Sequence, residues 1–553
     1  MPTTILDGLK AELESAIEKI VNSDHPKKVI LAGPGAGKTT LFKKLLEKND
    51  DGKRNQLVLT FINNLKNELD EKLSHLAQVF TFHGYCVKLL HENPQLRTGL
   101  SEKFKIFPYL PTLIKRDWEV LYREPAPQFV GNMRNTLEDA QSDFYLSRSS
   151  YYDTVGFDDS IFRVHSAYSS GRVKVPEYKL VLVDEYQDFN RLEVSLLNFL
   201  SKNNPIAVAG DDDQALYSQL RGSSYEFIRH LYQSDDYENC ELPFCLRCPE
   251  VIVNSFADVI GVARDRKLLP GRINKPFKYF EPYRDKDSVA HPKIKVLEIS
   301  AQQLKTNYFG RIIVNIIKRI PSSYITESIR ENFPTALVIG PKQYLSQVAQ
   351  CLREEGLVID YHEGEKEASK ITRSMALPYL KEEPNSNIGW RIALEADSSG
   401  FSQNALEKAV KYQKPLYDEL EVNYKDALLS EASNWENPEE IITNQTPPGQ
   451  PTIKLTSYEG AKGLSAQFVF IVGLHNGDIP KDPDHIKELE IFRFLVALTR
   501  TRKQCYLIWT YRFAGKPMRP SEFLEWINND GLHRIRIDKN YFARVNNEKI
   551  KLR

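Results

Sequence analysis

The chain has 553 residues, 41% hydrophobic and 27% charged, with 74 Lys+Arg balanced by 74 Asp+Glu. That length exceeds one compact core and fits roughly three to five modules. The neutral balance excludes a globally basic surface, so a nucleic-acid partner has to be held by a local groove. No run approaches the ~18–20 apolar residues of a membrane span, and Met1–Lys10 lacks the basic-then-apolar pattern of a signal peptide, so a cytosolic protein is expected.

In chain order, Leu6, Leu9, Leu13, Ile17 and Ile20 recur at helical spacing and predict an amphipathic helix over 5–22. The apolar run Val29–Ala32 then ends in Gly33, Pro34, Gly35, Ala36 and Gly37, followed by Lys38, Thr39, Thr40 and helix formers. This order of strand, tight loop and helix is the phosphate-binding-loop pattern. Glycines let backbone amides turn onto a triphosphate, the helix N-terminus adds partial positive charge, Lys38 reaches the β/γ-phosphates and Thr39 holds Mg²⁺. Ala32 stands where the strict pattern has its first glycine. Leu57–Phe61 reads as a second buried strand, followed by Asn63, Asn64 and a helix through Leu73, and Val79–His83 as a third short strand ending on polar residues. Strands that alternate with helices and end on polar residues predict a parallel α/β sheet with its ligand at those ends.

Residues 88–175 carry no long apolar strand and predict a mostly helical insertion, after which Leu180–Val183 and Ile206–Ala209 resume the sheet. A second α/β pattern follows in Ala336–Ile339, Val469–Val472 and Cys505–Trp509. It is interrupted by a polar, acidic, partly helical stretch that closes in the loop-like Asn444–Pro451. The expected organisation is a first core (1–87 and 176–243) with its helical insertion (88–175). A second core (244–359 and 446–553, with a charged tail) carries a reduced insertion (360–445). The fold class is α/β, with two parallel-sheet P-loop cores and a mostly helical insertion in each.

Asp184 and Glu185 directly follow a buried strand. Adjacent acids there suit hydrolysis, with Asp184 holding Mg²⁺ through water and Glu185 orienting and deprotonating the attacking water. The next strand ends Gly210-Asp211-Asp212-Asp213-Gln214, and a neutral amide such as Gln214 can donate to a γ-phosphate and accept from water; the acidic turn itself could equally be surface. The six cysteines are too scattered for a disulfide scaffold. Cys240, Cys245 and Cys248 have the spacing of three iron–sulfur ligands, but no fourth ligand is nearby.

The order of these motifs resembles the superfamily 1A helicases, the UvrD/PcrA/Rep-like group, over most of the chain. Ala32–Thr39 matches their first motif, Leu59–Asn63 their DNA-contacting second, and Thr81-Phe82-His83 their T-x-H. Asp184–Asp188 looks like D-E-x-Q-D, and Gly210–Gly222 like G-D-x-x-Q-x-x-Y…R-G. Leu246-Arg247-Cys248 stands at the Y-R-S position, Glu459–Leu464 resembles H-S-A-K-G-L, Val496–Arg500 matches V-A-L-T-R, and Pro520–Leu524 resembles P-S-x-F-L. The resemblance implies two RecA-like cores with ATP and Mg²⁺ between them. Lys38, Thr39, Asp184, Glu185 and Gln214 come from the first core, Arg247 and Arg500 act as arginine fingers from the second, and Gly463 adjoins the nucleotide. It also implies a single strand of DNA across both cores, against Phe61, Asn63, Thr81, His83, Tyr217 and Phe523. A metal at Cys245 and Cys248 would hold Arg247 away from the phosphate.

Several positions depart from the family pattern. Residues 1–40 contain no Gln to read adenine, Thr40 stands where an Arg often stacks on the base, and Leu246 replaces the stacking Tyr, so weak discrimination among nucleoside triphosphates is expected. The Tyr217–Gly222 stretch has an extra residue and no Trp, and Glu459 and Ser465 stand where His and Glu are usual. The expected function is an ATP-dependent 3′→5′ DNA helicase or single-stranded-DNA translocase. The alternative is a nucleic-acid-stimulated NTPase that does not unwind and signals to a partner, for example a nuclease in phage defence. In the tail, Arg534, Arg536, Lys539, Arg544, Lys549, Lys551 and Arg553 read as a solvated charged end or as a nucleic-acid arm.

Overall fold

The fold is given by a computed structural model that describes residues 3–61, 63–135, 142–217, 222–300, 308–361, 371–397, 400–412, 414–436, 447, 449–538 and 540–541. The short apolar runs of the first third become strands β1 (Lys27–Ala32), β2 (Gln56–Thr60) and β3 (Gln78–Thr81). After a helical stretch come β4 (Leu180–Val183), β5 (Ile206–Gly210) and β6 (Glu238–Leu242). They form one sheet in the order β3-β2-β4-β5-β1-β6, and every pair is parallel. Every residue of β2, β4 and β5 is buried, as expected of strands covered by helices on both faces.

The second sheet takes β7 (Ile294–Ile299), β8 (Ala336–Ile339), β9 (Ile359–Asp360), β10 (Ile453–Thr456), β11 (Ala466–Val472), β12 (Thr501–Thr510) and β13 (Leu532–Ile537). Its order is β9-β10-β8-β11-β12-β7-β13, again parallel throughout. The chain is therefore an α/β protein with two parallel-sheet cores. Phe82 and His83, read above as the end of a strand, instead open the helix Phe82–Glu92. Thr81 caps that helix, its hydroxyl accepting from Gly84 N–H at 3.2 Å, and this ends the strand two residues earlier.

Helices Leu110–Tyr122, Phe129–Asn135, Ser142–Tyr151 and Phe157–Ser169 lie between β3 and β4. Leu377–Glu382, Asn387–Ala396, Gly400–Tyr412 and Val422–Ser433 lie between β9 and β10. These two helical groups, far apart in sequence, pack on one another. A single apolar cluster runs from Val29 and Leu57 of the first sheet through Leu113 and Tyr145 to Trp390, Leu406 and Leu428. Inside it, the fully buried Arg391 donates to Asp117 Oδ1 at 2.9 Å, while Arg148 (3.1 Å) and Tyr152 (2.6 Å) donate to Oδ2. Arg123 and Glu407 pair at 2.9 Å at the rim. The second helical group thus rests on the first, while the second sheet keeps apolar clusters of its own. No helix among the described residues is long and apolar enough to cross a membrane.

Candidate active site

β1 delivers the chain into the loop 33–37, where Gly35 and Gly37 have φ of +71° and +88°. Only glycine takes these angles without strain, and a Cβ at Gly35 would lie 2.5 Å from the Cβ of Arg247. Gly37 precedes helix Lys38–Lys48 without any side-chain cap, so the first-turn N–H groups remain open to an anion. Ala32 is buried at the end of β1, Thr39 is half-buried and Thr40 is exposed.

β4 ends beside this loop and presents the two carboxylates. Lys38 Nζ is 3.1 Å from Asp184 Oδ1 and also pairs with Glu185 Oε1. Glu185 is held in the left-handed region at φ +53°, unusual for a residue with a side chain, and its Oε2 accepts from Gln187 Nε2 at 2.6 Å. Burial opposes the charge of Glu185, but Lys38 and Lys462 together hold it well below the usual carboxylate range. Burial raises the pKa of Asp184 despite Lys38. Burial likewise opposes the charge of Lys38, yet the two carboxylates hold its pKa above the ordinary lysine value.

The second core closes on this pocket. Leu246 N–H donates to Gly35 O at 2.9 Å, which lays the Leu246–Arg247 segment directly on the phosphate loop. Arg247 Nη1 reaches Thr499 O at 3.5 Å. Arg500 is only 2% exposed. It donates to Val496 O (2.9 Å), Leu464 O (3.2 Å), Thr499 Oγ1 (3.2 Å) and, across the cleft, Gln214 Oε1 (3.2 Å). Among the described residues none of these partners is a carboxylate, and burial together with neighbouring Arg247 pushes Arg500 down to about 9. Lys38, Asp184, Glu185, Gln214, Arg247 and Arg500 are therefore brought to one cleft.

The sequence reading passed over Lys462. This lysine, 5% exposed, crosses from the second core to Asp188 Oδ2 (2.5 Å) and Gln214 O (2.5 Å), and lies 3.6 Å from Glu185. Its signal was present in Glu459–Leu464, whose resemblance drew attention to the glycines. At Gly463, φ is +80° and a Cβ would lie 3.3 Å from Leu65, so the two cores pack closely at this position. Cys245 and Cys248 bracket Arg247, and the Cys248 thiol donates to Thr499 O at 3.4 Å.

Of the strand-contact candidates, Phe61 and Tyr217 form a half-buried ring pair at 5.2 Å, and the Tyr217 hydroxyl donates to Glu459 O at 3.0 Å. His83 packs on Phe157 at 4.3 Å, and Phe157, 36% exposed, is an aromatic the sequence reading missed because it sits in the helical insertion. Two candidates are corrected. Phe523 is fully buried, stacked on Phe494 at 5.1 Å, so its ring is core rather than a base platform. Thr81 is 5% exposed and spends its hydroxyl on the helix cap. Asn63 opens helix Asn63–Leu73, and its side chain lies outside the described residues.

Comparison with known proteins bears on this geometry. The AAA-domain family matches residues 14–219. The ATP-dependent DNA helicase PcrA of Staphylococcus epidermidis (strain RP62A) is 24% identical over 651 residues, covering 95% of this chain and 87% of the relative. PcrA of Staphylococcus aureus (strain Mu50) is 23% identical over 649 residues, covering 94% and 87%. Motif order, the double core and a match to PcrA along nearly the whole chain agree, and the chain is similar to the UvrD/PcrA-like superfamily 1 helicases.

Proposed function

We propose that the protein is a nucleic-acid-dependent NTPase motor, an ATP-driven translocase on single-stranded DNA that separates duplex with 3′→5′ polarity. The observation that carries this reading is the pair of guanidiniums from the second core. Arg247 lies on the phosphate loop and Arg500 points across the cleft, neither paired with a carboxylate among the described residues. Buried cations without counter-ions are costly unless an anion completes them, and planar guanidiniums suit the charge spread over a transferring phosphoryl group.

The residues then divide the work. Thr39 and Asp184 are hard oxygen donors of the kind Mg²⁺ takes, and the buried carboxylates beside the loop already hold a cation in the Lys38 ammonium, so the donor set fits that ion. When bound, Mg²⁺ neutralises charge on the β- and γ-phosphates. Lys38 exchanges its carboxylates for a phosphate oxygen, which releases Glu185 Oε1 to accept the proton of the attacking water. Gln214 orients that water and senses the γ-phosphate. Arg247 and Arg500 stabilise the charge that builds on the phosphoryl oxygens, and their release after hydrolysis lets the cleft reopen. Phe61 and Tyr217, and the separate His83–Phe157 pair, grip the strand by stacking, worth ~1–3 kcal/mol per base.

Nucleotide turnover measured with and without single-stranded DNA or RNA tests the reading, beside unwinding of a forked duplex with each tail polarity. Stimulation by single-stranded DNA with strand separation from a 3′ tail is expected. Stimulation without strand separation selects a translocase that signals to a partner protein, and absence of any stimulation overturns the motor reading. The missing adenine-reading Gln and the Leu246 substitution lead us to expect comparable rates with ATP and GTP; strict ATP preference defeats that part.

A further inference from the structure

Asp211, Asp212 and Asp213 are three consecutive carboxylates with no solvent exposure, close enough together to resemble a metal site. Their centre is taken by an ammonium. Lys275, from the segment after helix Glu250–Asp265, lies 2.8 Å from Asp211 Oδ1 and 2.9 Å from Asp213 Oδ2 and also pairs with Asp212. Arg272 grips both oxygens of Asp213 at 2.7 Å, and Arg229 Nε donates to Asp212 Oδ2 at 2.9 Å. Three cations thus face the three carboxylates, and Arg229 is shared with Glu226 (3.2 Å) and Glu488 (2.7 Å).

The three carboxylates are not equivalent. Asp212 is fixed by Arg229 and by Ile273 N–H (3.1 Å), and Asp213 by the two-pronged Arg272. Asp211 alone passes its contact to the candidate pocket. Its Oδ1 faces Lys275, while its Oδ2 accepts from Gln214 Nε2 at 2.8 Å. The far side of that amide, Oε1, accepts from Arg500 at 3.2 Å. Lys275, Asp211, Gln214 and Arg500 form one unbroken polar chain across the cleft.

We propose that Lys275 is a positioning residue for Gln214, acting through Asp211, an inference that rests on Gln214 facing the γ-phosphate as proposed above. Burial raises the pKa of Asp211 and the Lys275 ammonium opposes that, favouring the ionised carboxylate, which can only accept. It therefore dictates which way the Gln214 amide is turned, with nitrogen to Asp211 and oxygen into the cleft. Without Lys275, a dry carboxyl group takes up a proton, becomes able to donate, and no longer fixes the amide.

The test is a double-mutant cycle on the full chain, read as nucleotide turnover stimulated by single-stranded DNA. Lys275→Met is expected to lower kcat by roughly ten- to a hundred-fold, the range for a misplaced reacting group, with KM for ATP within about twofold. In a Gln214→Ala background, Lys275→Met should cost nothing further, because its effect runs through that amide. An unchanged kcat in Lys275→Met overturns the proposal. So does an equal, additive loss in both backgrounds, the signature of general loosening. Should Lys275→Met fail to give a cooperative melting transition, the same cycle is run on Lys275→Gln, which is polar but removes the charge; the same two outcomes decide. A wild-type protein without stimulated turnover, or a Gln214→Ala variant as active as wild type, defeats the reading of the pocket instead.

Discussion

Arg500 shows at the residue scale why the cleft reads as a site rather than as packing. A guanidinium buried among neutral acceptors is poorly compensated, and its neighbour Arg247 makes it worse. The arrangement becomes favourable when a triphosphate supplies the negative charge. Replacing Arg500 or Arg247 by Ala should lower kcat by about 10³-fold or more, the usual cost of losing such a finger. Nucleotide binding measured directly should be far less affected. Normal turnover in either variant removes that residue from the pocket. Lys38 and Glu185 separate in the same way. Lys38→Ala should lose triphosphate binding or turnover, whereas Glu185→Gln should bind a fluorescent nucleotide and fail to hydrolyse it. Retained hydrolysis in Glu185→Gln takes the proton-accepting role away from that residue.

At the scale of elements, the strongest constraint lies outside the cleft, where Arg391 of the second helical group enters the first and meets Asp117, both fully buried. Asp117 keeps Arg148 and Tyr152 when Arg391 is removed, so Arg391→Ala should destabilise the protein by about 1.5–3 kcal/mol in denaturant unfolding, the range for losing a hydrogen bond to a charged group. A loss below about 1 kcal/mol, as for an exposed pair, would mean that the helical groups are not held together here. Asp159, in helix Phe157–Ser169, adds a pH dependence. Burial outweighs the pull of Arg163 and raises its carboxyl to about 7. Folded Asp159 therefore holds its proton more tightly than the unfolded chain does. The stability this contributes is complete below about pH 4, the ordinary carboxylate range, and is lost as pH rises to about 7. Asp159→Asn should flatten that part of the stability profile, and an unchanged slope assigns it to another group.

These elements were unevenly legible. β4, β8 and β11 were visible as unbroken apolar runs because both their faces are covered. β6, β7, β10 and β13 were not, because Glu-Asn-Cys-Glu-Leu, Ile-Lys-Val-Leu-Glu-Ile, Ile-Lys-Leu-Thr and Leu-His-Arg-Ile-Arg-Ile interleave charged or polar residues that reach solvent. Arg534 and Arg536, read as part of a charged tail, lie on the edge strand β13, where charge also discourages pairing with another chain. Lys539, Arg544, Lys549, Lys551 and Arg553 lie outside the described residues. In the cleft, motif spacing identified residues whose roles are carried by a short loop, such as Lys38 and Asp184. It could not show Lys275, whose partner Asp211 lies 64 residues away, nor that Lys462 of the Glu459–Leu464 motif meets Asp188, 274 residues away. Nor could it show that Phe523 is core, because burial of an aromatic is decided by neighbours such as Phe494 that only the fold supplies.

Across the whole molecule, the strand-contact rings and the nucleotide pocket share one short segment. Tyr217 packs against Phe61 with the rings tilted and donates its hydroxyl to Glu459 O. Three residues on, Lys462 of the same segment reaches Asp188 and Gln214 O. On the proposed reading, a strand that settles on the rings acts on a peptide tied to the residues proposed to surround the γ-phosphate, and the coupling then has to work in both directions. Tyr217→Phe isolates this link, since it keeps the ring for stacking and deletes only the hydroxyl. One hydrogen bond is worth about 1 kcal/mol net, or about fivefold in the coupling. The maximal DNA-stimulated rate should fall by about that factor while the half-saturating concentration of oligothymidylate stays within about twofold. If instead the half-saturating concentration rises and the maximal rate is kept, Tyr217 serves only to hold the strand, and the signal to the pocket passes through another contact between the cores.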